Sequence, residues 1–339
     1  MRGNREDQVA SVMLDRLAAE PPPPPTLVAL DPTLRLRRAV EDAIAWQRFA
    51  SDGEPDALPW PGSRPAASAI LRLPKGRAAL RMCLHALASR LPAGAPLWLY
   101  GANDEGIRSS GKELQALFDG VATLEARRHC RIWRGRRSGT PARGSLDAWE
   151  EPFLADLPDG VARVVSYPGL FAHGHLDAGT RLLVGAVTKL PPGAHVLDFG
   201  CGAGLVALAT AQREPSLRLT LLDHDALALH AAAQNVPDAA HVLGNSLESL
   251  PAGARFDAIL SNPPFHQGKP ETAHVLHGLV EGASRRLTRR GKLWVVAQRR
   301  FPMGTWLEKH FQQVQCRAQD RSFRVWHAAR PEDSSGDPL

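Results

Sequence analysis

Short apolar runs alternate with helical stretches over much of the chain. Phe256-Asp257-Ala258-Ile259-Leu260-Ser261 is one such run, and it closes at Asn262-Pro263-Pro264-Phe265. Val196-Leu197-Asp198-Phe199 is another, and it runs into Gly200-Cys201-Gly202-Ala203-Gly204. A third, residues 217–222, ends at Asp223. Residues 205–212 and the alanine-rich stretch 226–235 predict helices between them, and residues 292–296 predict a further strand. Residues 322–327 alternate apolar and polar, which suits a late antiparallel strand. Strands that alternate with helices predict an α/β fold with a mostly parallel sheet and right-handed crossovers.

The first half carries a fainter version of the same pattern. Leu97-Trp98-Leu99-Tyr100 precedes Gly101-Ala102-Asn103-Asp104-Glu105-Gly106, and a second apolar stretch, 121–124, ends at Glu125. The spacing nearly matches that from Gly200 to Asp223. Asn103 and Glu105 stand where the later turn has Gly202 and Gly204, and no Asn-Pro-Pro-Phe follows. This predicts a duplicated unit that has lost its ligand site, with Leu97–Tyr100 as the counterpart of Val196–Phe199. The expected division is an N-terminal extension with a proline run over residues 1–30, a degenerate unit over 31–155, a catalytic unit over 156–330 and a disordered tail over 331–339. The prolines at 21–25 must be extended, and they predict a frayed helix before them.

Composition narrows the class. A chain of 339 residues, 44% of them hydrophobic, suits two domains with sizeable cores. The charged start, Met1 to Gln8, has no apolar segment behind it, so no secretory signal is expected. Cys83, Cys130, Cys201 and Cys316 form no paired motif, which suits reduced thiols in a cytoplasmic protein and no metal site. The net charge of +6 is compatible with an anionic partner such as RNA.

The glycine turn delivers the chain from a strand to a helix whose first N–H groups are free. Gly200, Gly202 and Gly204 remove Cβ atoms, so a ligand can lie against the backbone. Asp223, at the end of the next strand, is placed to accept both hydroxyls of a ribose. The spacing is G-x-G-x-G, with Leu205 where a dinucleotide fingerprint needs its third glycine. Asp198 suits a positively charged aminoacyl group better than a pyrophosphate. The pattern therefore favours S-adenosylmethionine over a nicotinamide cofactor. Asn245 and Ser246, after the strand-like 241–243, fall where the adenine ring would lie.

Two consecutive prolines end a strand and hold its exit rigid. The Asn262 side-chain oxygen and the Pro263 carbonyl can accept hydrogen bonds from one amino group. An exocyclic amine has its lone pair delocalised into the ring, and two acceptors bias it toward the geometry of attack. Phe265 offers a face on which a base can stack, and His266 stands beside it. Arg131 and Arg134 belong to a cluster of arginines around Trp133 that can neutralise phosphates. Arg299 and Arg300, just past a strand end, are candidates for the same role. No G-x-S-x-G, H-E-x-x-H or Walker motif is present, so hydrolase and triphosphatase readings lack support.

Residues 196–209, the segment Ser-Asn-Pro-Pro-Phe-His-Gln-Gly at 261–268, Tyr167-Pro168-Gly169-Leu170-Phe171 and Leu176-Asp177-Ala178-Gly179 together resemble the small-subunit ribosomal RNA guanine-N2 methyltransferases, the RsmC family. They are also similar to the sister family acting on a large-subunit guanine. The resemblance implies two tandem Rossmann-like class I methyltransferase domains. The N-terminal one is degenerate and assists RNA binding, and the C-terminal one has a mostly parallel seven-stranded sheet. It further implies methyl transfer to a guanine amine of ribosomal RNA, free or in the small subunit, by a monomer, with Phe171 near the substrate. Adenine N6 and a protein glutamine are alternative acceptors, and a non-catalytic ribosome-assembly protein is the reading from outside enzymology.

Overall fold

The computed structural model describes residues 5–51, 56–263 and 270–331. It divides into two units: residues 1–49, 56–150 and 167–169 form the first, and residues 50–55, 151–166 and 170–339 the second.

The first unit holds α1 (Arg5–Ala19), β1 (Thr26–Ala29), α2 (Arg35–Ala39), β2 (Ala43–Trp46), β3 (Ser68–Arg72), α3 (Arg77–Ala88), β4 (Pro96–Ala102), α4 (Gly111–Leu114), β5 (Phe118–Arg127) and β6 (Cys130–Arg137). Its sheet runs β2-β1-β3-β4-β6-β5, and β6 alone runs against the others, so its pairings with β4 and β5 are antiparallel. Successive strand residues point to opposite faces. Leu27, Leu71, Leu97 and Leu99 meet Leu80, Cys83, Leu84 and Leu87, the i, i+3, i+4, i+7 stripe of α3. Val28, Ile70, Trp98 and Tyr100 meet Val9, Val12, Met13 and Leu17 of α1 on the other face.

The second unit holds β7 (Phe153–Leu157), β8 (Gly160–Val164), α5 (Ala178–Ala186), β9 (His195–Phe199), α6 (Leu205–Arg213), β10 (Arg218–Asp223), α7 (Ala226–Asn235), β11 (Ala240–Leu243), β12 (Phe256–Ser261), α8 (Pro270–Arg286), β13 (Leu287–Gln298), α9 (Met303–Leu307), β14 (Phe311–Gln319) and β15 (Phe323–Pro331). The seven-stranded sheet runs β11-β10-β9-β12-β13-β15-β14, and β15 alone runs against the others, so its pairings with β13 and β14 are antiparallel. Leu276, Leu279, Val280 and Ala283 of α8 cover Leu197, Ile259, Leu293 and Val295 on one face. Strands with both faces covered read as continuous apolar runs. Hence β9 and β12 were plain in the sequence.

Three expectations need correction. The helix at the N-terminus is not frayed, because Val9, Val12 and Met13 are each no more than 1% exposed and anchor one face of the first sheet. The proposed extension over 1–30 therefore supplies a core helix and, in β1, a central strand of the sheet. The boundary near 155 would cut the β7–β8 hairpin, which pairs as a whole and belongs to the second unit. The internal repeat is present but in another register. Aligned from their antiparallel ends, β4 matches β13, β3 matches β12, β1 matches β9 and β2 matches β10. Leu97–Tyr100 is thus not the counterpart of Val196–Phe199, and Glu125 sits on an antiparallel strand rather than at a ribose position. Among the described residues, the first sheet has no counterpart of β11.

The two units also share the helix that precedes their first strand. α1 packs on β4 and β6, as α5 packs on the matching β13 and β15. In the first unit Arg72, the last residue of β3, is 6% exposed at its side chain. Its guanidinium is gripped by Glu6 of α1 at 3.0 and 3.1 Å and by Glu105 at 2.8 Å.

Candidate active site

The parallel strands of the second unit point their C-terminal ends to one edge, where α/β sheets bind ligands. β9 lies between β10 and β12, with Asp198 paired to Leu221 on one side and Leu260 on the other. Each strand exit in this group carries a residue named from the sequence.

The turn after β9 is built from three left-handed glycines, with φ of 69° at Gly200, 55° at Gly202 and 83° at Gly204. L side chains resist that conformation. No atom lies within 4 Å of a Cβ placed on Gly200 or Gly202, so the turn has open space above its backbone. Gly204 caps α6.

Asp198 is 1% exposed. One carboxylate oxygen, Oδ2, accepts the Ala207 N–H in the first turn of α6 at 3.1 Å. The other, Oδ1, is buried with no hydrogen-bond partner among the described residues. Burial pushes this acid up from 3.8 to about 7, the Ala207 N–H opposes that rise, and the charge of Asp223 adds to it. An orphaned buried carboxylate oxygen is costly, and a cation resolves the cost.

Asp223 is 7% exposed at the end of β10. Its Oδ2 accepts the Gly202 N–H at 2.8 Å and its Oδ1 the Asp225 N–H at 2.9 Å. Oδ1 also lies 3.2 Å from His224 Nδ1, while Oδ2 keeps a second lone pair for a ligand hydroxyl. After β11, the backbone folds back through Gly244, whose N–H bonds the Asp223 carbonyl, so that Asn245 is exposed and Ser246 half-buried next to it. These groups fit a nucleoside cofactor with a cationic arm.

At the end of β12, the Ser261 hydroxyl donates to the Phe199 carbonyl at 2.8 Å, which ties this exit to the glycine turn. Asn262 follows, half-buried, and Pro263 is buried. The Asn262 Nδ2 donates to Asp177 Oδ2 and to Thr180 Oγ1, each at 2.9 Å. Phe265 and His266 lie outside the described residues.

Phe171 is 65% exposed in the loop that leads to Asp177. That loop is held by His173, whose ring nitrogens lie 2.8 Å from Ser166 Oγ and 2.9 Å from Glu151 Oε2. Arg299 and Arg300 are exposed just past β13, with Arg300 over the Phe301 ring. Arg131 and Arg134 are elsewhere, on β6 of the first unit. Arg134 pairs with Glu20 at 3.0 Å, and Arg131 bonds Thr123 and stacks on Trp133.

Three site residues escaped the sequence reading. Asp177 and Thr180 form the Asp-x-x-Thr start of α5, a capping signal that was present but not connected to Asn262. Asn235, at the end of α7, donates to the carbonyls of Ala203 and Val165 and so braces the glycine turn. No local signal marks that role.

A seven-stranded sheet of this order, with a glycine turn, a buried acid at the next strand's end and an Asn-Pro exit on adjacent strands, defines an α/β methyltransferase. The Methyltransferase small domain family matches residues 161–327, and its N-terminal companion domain matches residues 39–153. The chain belongs to the ribosomal RNA small subunit methyltransferase C family. The member from Ectopseudomonas mendocina is 40% identical over 267 residues, covering 78% of this chain and 79% of that protein. The member from Pseudomonas aeruginosa (strain LESB58) is 38% identical over the same shares. In fold, the chain is similar to the T. thermophilus 16S rRNA N2 methyltransferase (RsmC) in complex with AdoMet and guanosine. The TM-score is 0.82 at 23% identity, over 97% of this chain and 93% of that one.

Proposed function

We propose that this chain methylates the exocyclic N2 amine of a guanine in 16S ribosomal RNA, using S-adenosylmethionine. It acts as a cytoplasmic monomer on the small ribosomal subunit. The observation that carries the reading is the seating of Asn262 at the end of β12, bonded through Ser261 to the exit of β9, in a chain of this family.

S-adenosylmethionine, when bound, supplies an electrophilic methyl group on a sulfonium. Asp223 holds the ribose hydroxyls. The orphaned Oδ1 of Asp198 meets the cationic aminoacyl arm over the turn of Gly200, Gly202 and Gly204. Asn245 and Ser246 border the adenine. Asn262 Oδ1 and the Pro263 carbonyl accept the two protons of the target amine, which turns its lone pair toward the methyl group and stabilises the positive charge that grows on nitrogen. Bound S-adenosylmethionine would supply the methyl group to that nitrogen and leave as the neutral thioether, and the proton released by the amine would pass to water. Phe265 stacks on the base. Phe171, His266, Arg299 and Arg300 border the RNA, while Arg131 and Arg134 contribute from the first unit, Arg134 with part of its charge already met by Glu20. A guanine held in a helix must be flipped out to reach this site.

The test is transfer of labelled methyl groups to naked 16S RNA and to small subunits from cells lacking this protein, with the modified base mapped. Labelled guanine N2 is expected, and Asn262→Ala should lower kcat by roughly 100-fold or more with cofactor affinity nearly unchanged. A labelled adenine or a labelled protein would overturn the guanine assignment.

A further inference from the structure

An asparagine amide presents an acceptor on one edge and a donor on the other. Only one edge suits a target amine, and a half-turn of the amide would aim N–H at N–H. Asp177, the cap of α5, settles which edge faces out, and Thr180 takes up the second N–H. Asp177 Oδ2 stands 2.9 Å from Asn262 Nδ2, and so does Thr180 Oγ1. An ionised carboxylate can only accept, so the edge facing it must be the NH2. A flipped amide would set its carbonyl oxygen against the carboxylate and lose that bond, whereas the Thr180 hydroxyl can donate or accept and serves either edge. With both N–H groups engaged, Oδ1 and its two lone pairs are what Asn262 offers to a ligand.

The same Asp177 oxygen caps α5 by accepting the Thr180 N–H at 2.9 Å. One atom thus fixes the helix start and the asparagine together. The approach is close. A Cβ added at the buried Gly179 would lie 3.1 Å from Asp177 Oδ2 and 3.3 to 3.4 Å from the amide atoms of Asn262. That spacing explains why a glycine, with an ordinary φ, sits inside the first turn of this helix.

We propose that Asp177 and Thr180 are positioning residues that set the Asn262 amide with its acceptor edge toward the target, and so fit the site to an amino group. The proposal rests on the amine-methylation reading above. It assigns chemistry to Asp177 beyond capping, since a cap alone needs no partner 85 residues away.

Asp177→Ser separates the two roles. Serine is as good a cap as aspartate but is too short to reach Asn262. The expected result is a kcat lower by roughly 10-fold or more, a melting temperature close to wild type and a cofactor affinity unchanged. Asp177→Asn keeps an accepting oxygen and should recover most of the rate. Thr180→Val should show a smaller loss. The side-chain amide resonances of Asn262, identified by their disappearance in Asn262→Ala, should show slow exchange and two distinct proton shifts in the wild type. Asp177→Ser should bring both toward those of a solvated amide. Unchanged amide resonances, or a rate loss in Asp177→Ser matched by loss of cofactor binding, would overturn the proposal. Activity is read on whichever acceptor the wild type labels. A failed guanine assignment then appears in the wild-type product, and a failed positioning role appears in the variants.

Discussion

Asp198 gives the site a pH dependence that can be measured without any RNA. The acid is buried, with one oxygen on the Ala207 N–H and the other without a partner among the described residues. Its ordinary value of 3.8 is pushed up to about 7 in the folded protein. The sign follows from linkage. Between these values the folded chain holds a proton that the unfolded chain has released, so folding stability falls as pH rises from about 4 to about 7 and is level beyond. The full gap corresponds to roughly 4 kcal/mol. Asp198→Asn keeps the shape and the bond to Ala207 but cannot ionise. Urea unfolding of the cofactor-free proteins should give similar stabilities near pH 4, with the variant ahead by a few kcal/mol at pH 8. Saturating S-adenosylmethionine should shrink the wild-type dependence, because a cation beside Oδ1 favours the ionised acid. The variant should bind the cofactor roughly tenfold or more weakly. Parallel pH profiles for the two proteins, with and without cofactor, would refute the reasoning.

Asp223→Ala removes the acceptor of the Gly202 and Asp225 N–H groups as well as the proposed ribose contact. Cofactor affinity by calorimetry should fall by roughly 100-fold, and unchanged affinity would remove Asp223 from the site. Arg72→Met leaves Glu6 and Glu105 facing each other without their cation. It should lower stability by about 2 to 4 kcal/mol, read by thermal unfolding, with cofactor affinity unchanged. A melting temperature equal to that of the wild type would show that the ion pairs contribute nothing.

The catalytic unit was legible for a physical reason. Parallel strands covered on both faces appear as unbroken apolar runs, and glycine and proline mark their exits, so β9, β12 and α7 could be placed nearly to the residue. The position of a strand within a sheet is another matter. Leu97–Tyr100 followed by Gly101 has the local look of β9, but its place is fixed by pairing with β3 and with the antiparallel β6. Those partners are remote or downstream, and no local pattern records them. The start of the chain misled in the same way. α1 carries many charges, and only its contact with Trp98 and Tyr100 reveals how its apolar stripe is used. At the site, the glycines and acids were visible as types, while the bond from Asp177 to Asn262 joins two segments whose relation is created by folding.

The clasp around Arg72 has a bearing on history. In both halves a side chain from the leading helix reaches the end of the matching strand: Asp177 to Asn262 in one, Glu6 to Arg72 in the other. In the second half that reach leaves an acceptor available to a visitor. In the first, a buried guanidinium closed between two carboxylates leaves nothing to offer, and its removal would weaken the fold. The first half has thus made the closure of that strand end a condition of its own stability. Glycines placed there would not by themselves make a ligand turn, since the clasp would first have to open. Loss of function in a duplicated unit becomes one-way once its vacated space has been put to structural use.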